Sequence, residues 1–269
     1  MKLWEKLVVP PGRRLHLAEW DPDDTSGHKK DAATEQALAQ DIARLDELQY
    51  VMFADHRHAL LVVLQAMDAG GKDGTIRHVM TGFNPQGCHV TAFKRPSAEE
   101  AEHDFLWRIH RAVPARGDIA IFNRSHYEDV LVARVRKLVP KEVWAGRYDH
   151  INRFEGLLGD SGVTVVKFFL HISKDEQKRR FEERLTDRTK QWKLAPEDFE
   201  DRKYWDGYVE AYEDALSRCS TDVAPWFVIP ANKKWFRNLA VSHILVHALE
   251  RLDLKFPKPS FDVSRVKLT

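Results

Sequence analysis

Hydrophobic positions change their period several times along the chain. From Asp31 to about Asp55, Leu38, Ile42, Leu45 and Leu48 recur at spacings of three and four, which predicts an amphipathic helix. The run ALLVVLQA (59–66) breaks that rhythm. It is almost continuously apolar, carries β-branched valines and runs into glycines, as a strand buried on both faces should. Four more short apolar runs follow: HVTAF (89–93), DIAIFN (118–123), TVVKFFLHI (164–172) and WFVIPA (226–231). Helical patterns separate them over 97–112, about 127–160 in two pieces broken at Pro140, 174–188, roughly 196–218 and 234–251. This alternation predicts an α/β fold, a five-stranded parallel sheet covered by helices on both faces. Residues 1–30 read as an N-terminal extended arm, and 256–269 as a tail that wraps the surface. Residues 31–255 are left as the domain, and no internal repeat interrupts it.

Composition narrows the picture only a little. The 269 residues are 43% hydrophobic, enough for one sizeable core. Forty-two bases against 41 acids leave a net charge of +1, so no global field selects nucleic acid or a membrane surface. Two cysteines without a C-x-x-C pair argue against a disulfide framework or zinc site and fit a reducing compartment. The N-terminal apolar run is short and interrupted by charge, unlike a signal peptide, and no run is long enough to span a bilayer. A soluble cytoplasmic protein is expected.

Candidate chemistry begins where the first strand ends. QAMDAGGKDGT (65–75) resembles the phosphate loop G-x-x-x-x-G-K-[S/T] with two departures: Ala66 stands at the first glycine and Asp73 at the hydroxyl residue. Strand, glycines, lysine and helix follow in the right order, so backbone N–H groups of Ala69, Gly70, Gly71, Lys72, Asp73, Gly74 and Thr75 are candidates to curl around phosphate. A plain glycine turn is the bland alternative. Lys72 supplies a point charge for a transferring phosphoryl group. Asp73 cannot supply the hydroxyl that usually reaches Mg²⁺, and Thr75 lies about 200° round a helix from that slot. Asp68, inside the loop, is a candidate metal ligand or phosphate-orienting carboxylate, or else an aspartate bonded to its own turn.

The third strand ends in IFNRSHYEDVL (121–131), at the sheet edge where ligands sit in open α/β folds. Asn123 is neutral where an acid often helps hold Mg²⁺. Arg124 offers a fork that matches phosphate oxygens, and Glu128 is placed to face a nucleotide acceptor or hold an arginine. After the fourth strand, Lys178 to Lys193 carries seven bases and three acids, with Arg180, Arg184 and Arg188 at i, i+4, i+8 on one predicted face. That reads as a cationic lid or as a solvated face with ion pairs. Lys94 and Arg95 close the second strand before a predicted Ser97–Glu100 capping box and are phosphate candidates too. Trp192, between Lys190 and Lys193, is the one tryptophan kept as a site candidate.

Together, AMDAGGKDGTIRH, NPQG, FKRPSAEEAEHDFLWRIHRAVPARG, FNRSHYEDVLV, FFLHISKDEQKRRFEERL and APWFVIPANKKWFRNLAV resemble the family-2 polyphosphate kinases, from about Pro11 to Leu254. The FNRSHYEDV form resembles their class III; other classes commonly have aspartate at the position of Asn123 and differ at Glu128. The resemblance implies a three-layer α/β/α P-loop kinase fold, thymidylate-kinase-like, with a helical lid at about 178–205. It implies reversible phosphoryl transfer between inorganic polyphosphate and AMP or ADP, with Mg²⁺ (or Mn²⁺ as a substitute), in a homo-oligomer, dimer or tetramer. By position it makes Asp68 the metal and catalytic carboxylate and puts Lys72 in the phosphate loop. Asn123 and Arg124 fall in the second motif, Arg180 and Arg184 in the lid, and Lys190 and Lys193 near it. Expected catalytic residues are Asp68, Lys72, Arg124, Arg180 and Arg184. Polyphosphate falls to the loop, Lys94, Arg95, Lys190 and Lys193. The nucleotide falls to Asn123, Arg124, Glu128 and Trp192. An ATP-dependent nucleoside monophosphate kinase, a low-turnover nucleotide-binding regulator and a degenerate P-loop scaffold are the rivals.

Overall fold

The computed structural model of the protein describes residues 2–266; the last three residues of the expected tail lie outside them. Five strands, β1 (Ala59–Ala66), β2 (Cys88–Ala92), β3 (Ile119–Asn123), β4 (Val163–His171) and β5 (Trp226–Pro230), pair in parallel in the order β2-β3-β1-β4-β5. Every residue of β1 is buried, which is why it reads as an apolar run and not as an alternation. β2 lies at the edge and is largely open to solvent.

The helices are α1 (Leu3–Leu7), α2 (Ala32–Asp55), α3 (Lys72–Val79), α4 (Ala98–Ala101), α5 (Trp107–His110), α6 (Val132–Val135), α7 (Lys141–Asp160), α8 (Lys174–Thr186), α9 (Pro196–Asp201), α10 (Trp205–Cys219) and α11 (Lys234–Glu250). α1, α2, α3 and α11 pack together, and α6, α7 and α10 form a second group, with α7 against β4. The sheet is thus the middle of three layers. Asp31 caps α2 through the Thr34 N–H, and Ser97 and Glu100 form the expected capping box on α4.

Several helical expectations change: roughly 196–218 is α9 and α10 around a 3-10 turn at Arg202–Tyr204, and the piece before Pro140 is a 3-10 turn followed by the short α6. The stretch 97–112 is two short helices, with Asp104 turning the chain between them by accepting from Leu106 N–H. α8 stops at Thr186, so Arg188 falls beyond it and does not share the face of Arg180 and Arg184. Among residues 2–30, Leu3, Leu7, Val9, Leu15 and Leu17 are buried, and Val8 bridges Phe227 in antiparallel sense beside β5. Trp20 and Pro22 carbonyls accept from His171 and Asn232 at the ends of β4 and β5.

Candidate active site

β1 is central, so the loops leaving β1, β3 and β4 converge at one end of the sheet. The β1 loop is compact for reasons visible atom by atom. A side chain at Gly70 would lie 2.4 Å from the Ala66 Cβ, so the glycine makes room for the alanine that replaces the usual first glycine. Ala69 and Gly71 take left-handed backbone at φ +60 and +106, which is costly for the alanine. Gly71 then opens α3, whose first-turn N–H groups have no helical partner. The Lys72 ammonium folds back on the Ala66 carbonyl at 3.2 Å. Burial, reinforced by Arg124, lowers its pKa, while Asp68 and Glu128 act the other way.

Thr75 departs from expectation. It is fully buried, and both its N–H (2.9 Å) and its hydroxyl (3.1 Å) bond the Gly71 carbonyl, so the backbone donor expected to reach phosphate is spent within the helix. Asp73 is exposed and spends both oxygens on neighbours, with Asn123 Nδ2 at 2.8 Å and Lys193 Nζ at 3.7 Å. A carboxylate there repels phosphate, so only its backbone N–H suits the role given to it. Asn123 thereby ties β3 to α3, which the sequence alone did not show.

Asp68 and Arg124 meet across the β1 and β3 ends, with Nη2 2.9 Å from Oδ1. Arg124 holds φ +62, strained backbone of the kind found at functional sites. Glu128 raises the Arg124 pKa, burial opposes it and Asp68 adds to the rise. Burial in turn pushes the Glu128 carboxyl up, against the pull of Arg124 and Lys72. Gln177 holds the Asp68 carbonyl from α8. Among the described residues the second Asp68 oxygen has no protein hydrogen bond, and the carboxylate is a fitting hard donor for Mg²⁺ beside substrate phosphates. Among the described residues no cluster of three or more metal-binding side chains forms, so the fit rests on Asp68 and the substrate's own oxygens.

Asp68, Arg124 and Glu128 line a cleft closed on its far side by Trp205, Tyr208 and Tyr212 of α10. Their spacing of three and four along the helix is the sequence signal for this aromatic wall. Trp192 is not among them. It is 76% exposed, bonded through Nε1 to the Thr189 carbonyl, with Lys193 5.2 Å from its ring. The 191–193 turn does not line this cleft, whereas α10 does.

The lid bases divide into spent and free. Arg180 uses every donor within the protein: Nε on Glu176, Nη1 on the Ala69 and Gly70 carbonyls, and Nη2 on the Ala231 and Asn232 carbonyls. It clamps the phosphate loop from behind and has no donor left for a substrate, which corrects the catalytic role expected of it. Lys178, Arg179 and Lys190 pair with Glu182, with Glu176 and Glu183, and with Asp187. Arg184 carries no ion pair among the described residues and rests over Phe181. Lys94 and Arg95 are exposed beyond β2, beside the Asn123 end of β3, and their side chains have no protein partner among the described residues.

Beneath the second motif lies a buried polar network. Lys167 of β4 places Nζ 2.5 Å from Glu155, 2.8 Å from the Tyr127 hydroxyl and 2.6 Å from the Cys219 carbonyl. Glu155 also bonds Tyr127 and His126 at 2.9 and 3.1 Å. Residues 125–129 are thus pinned from below.

Comparison with known proteins gives the same answer at the level of whole chains. The profile described as polyphosphate kinase 2 matches residues 28–257. An AMP/ADP-polyphosphate phosphotransferase of Meiothermus ruber is 55% identical over 95% of this chain and 96% of its own length. An ADP-polyphosphate phosphotransferase of Rhodopseudomonas palustris is 43% identical over 94% and 92%. The crystal structure of polyphosphate kinase 2 from Arthrobacter aurescens superposes with a TM-score of 0.93 at 46% identity, covering 98% of this chain and 94% of that one.

Proposed function

The chain belongs to the polyphosphate kinase 2 family, and we propose that it transfers the terminal phosphate of inorganic polyphosphate to AMP and ADP, making ADP and ATP, reversibly. The observation that carries the reading is the junction of phosphate loop and second motif. There Lys72 and the open first turn of α3 lie beside the Asp68–Arg124 pair, which lines the cleft. The donor is read along the loop and the free Arg184, and the acceptor in the cleft of Arg124, Glu128, Tyr208 and Tyr212. An acceptor phosphate oxygen attacks the donor's terminal phosphorus in line. The bond from that phosphorus to its bridging oxygen breaks, and the shortened chain leaves with the electron pair. Lys72, Arg124, Arg184 and backbone N–H groups hold the oxygens and stabilise the shifting charge. Asp68 is the residue that would hold Mg²⁺ (Mn²⁺ as a substitute). When bound, the ion offsets repulsion between donor and acceptor oxygens. A cytoplasmic site and a homo-oligomer complete the reading. Two free cysteines fit the first, and no helix is long and apolar enough to cross a membrane among the described residues. Sedimentation velocity tests the second.

The deciding assay supplies Mg²⁺ and AMP or ADP with either polyphosphate or ATP as donor and measures the nucleotides formed. ATP from ADP and polyphosphate is expected; its absence removes the reading and leaves the ATP-dependent monophosphate kinase. Asp68→Asn should lose about 10²-fold or more of kcat with an unchanged Tm. An unchanged rate would take Asp68 out of the mechanism.

A further inference from the structure

Arg237 sits in the first turn of α11, only 2% exposed, and no carboxylate comes within ion-pair distance of it among the described residues. Its hydrogen bonds run from Nε and Nη2 to one neutral oxygen, Asn238 Oδ1, at 3.1 and 2.8 Å. Nη1 has no protein acceptor among the described residues. The guanidinium fills the space that side chains would take at the phosphate loop: a Cβ at Gly71 would lie 2.1 Å from Nη1, and one at Gly74 3.3 Å from Nη2. Those two glycines bracket the opening turn of α3. Arg180 is the nearest cation, its Nη1 3.4 Å from the same Gly71 Cβ position, and Glu176 pairs with Arg180 and Arg179 but not with Arg237. Two guanidiniums therefore flank Gly71 with one carboxylate between them. A buried, uncompensated cation is costly, and proteins keep such groups where a ligand supplies the missing charge. Burial and Arg180 lower the Arg237 pKa to about 10, which leaves it charged at neutral pH.

We propose that Arg237 is a built-in counter-charge for the donor polyphosphate, acting from beneath Gly71 and Gly74. The proposal rests on the polyphosphate reading above. It assigns Arg237 to the donor, because the cleft read as the nucleotide site is lined by neither Arg237 nor these glycines. Arg237 is a positioning residue: its fixed charge acts through the loop, and it gives Gly71 and Gly74 a reason to be glycine apart from backbone conformation. Packing α11 on α3 is a role that an uncharged side chain of similar length would fill equally well.

The test compares Arg237→Met, Arg237→Gln and Arg237→Lys with the wild-type protein. It measures KM for polyphosphate, KM for ADP, Tm, and polyphosphate binding by calorimetry. The two neutral variants should weaken polyphosphate binding and raise its KM by about tenfold or more, with KM for ADP within about twofold. Their Tm should hold or rise, because an unpaired buried charge is gone. Arg237→Lys should restore polyphosphate binding to within about threefold of wild type, since charge and not fork geometry is what acts. Polyphosphate binding by either folded neutral variant within about twofold of wild type overturns the proposal, as does an equal rise in both KM values or a lysine variant as impaired as methionine. Wild-type protein that binds polyphosphate yet makes no ATP from it would sink the functional reading alone, and the binding comparison still decides the role of Arg237.

Discussion

Replacing Lys167 by methionine should destabilise the protein while leaving its surface untouched. Lys167 and Glu155 are 0% and 1% exposed and 2.5 Å apart, and Tyr127, His126 and the Cys219 carbonyl complete the network. Methionine fills most of the lysine volume but leaves the Glu155 carboxylate buried beside only His126 and Tyr127. Removing one partner of a buried pair costs about 3–5 kcal/mol. For a chain of this length that lowers Tm by about 5–9 °C. Burial alone would raise the Glu155 pKa, but Lys167 and His126 hold it below the ordinary glutamate value. In the wild type its contribution is therefore present above the ordinary carboxylate range and lost as pH falls through that lowered value. In the variant, burial is offset by His126 alone, the folded pKa rises, and the deficit shrinks as falling pH protonates Glu155. Urea unfolding at about pH 7.5 and about pH 5 should show the larger deficit at the higher pH. Adding Glu155→Gln should recover about 2 kcal/mol, since a polar pair without charge needs no counter-ion. A single-variant deficit below about 1 kcal/mol, or one that ignores pH, would refute the assignment of this pair as the pin beneath the second motif.

Arg180 and Arg184 should separate cleanly. Arg180→Met orphans four loop carbonyls and should lower stability by about 2–4 kcal/mol, so thermal melts together with kcat report the loosened loop. Arg184→Ala should keep Tm and raise KM for polyphosphate more than KM for ADP; equal rises would place Arg184 outside the donor path. Gly71→Ala should abolish most activity, because φ +106 disfavours alanine and its Cβ would collide with Arg237. An active, stable Gly71→Ala protein would mean that the loop adopts another conformation when it works.

Legibility in the sequence followed the range of the forces involved. β1 runs over the same eight residues that the apolar run marked, because burial on both faces writes itself into consecutive positions. The edge strand β2 starts one residue earlier than HVTAF suggests, since its half-exposed pattern carries a weaker signal. The 97–112 helix divides where one side chain, Asp104, turns the chain by a local hydrogen bond. Lys167 stood in plain view, a lone cation inside a buried strand, yet its partner lies on α7 and the period of the strand does not name it.

What the sequence determined by itself was the layered α/β order, the phosphate loop and the second motif, because periodic desolvation and a contiguous loop are local properties. The tertiary structure alone decided which charges are free. Arg180 and Arg184 look equivalent at i and i+4. One is saturated by carbonyls 51 to 111 residues away, and the other has no ion pair among the described residues. The α10 aromatics line the cleft while Trp192 stands in solvent, and Arg237 fills the space left by the missing side chains of Gly71 and Gly74. Pairing of charge and exclusion of volume act through space, between residues whose separation along the chain carries no periodic mark.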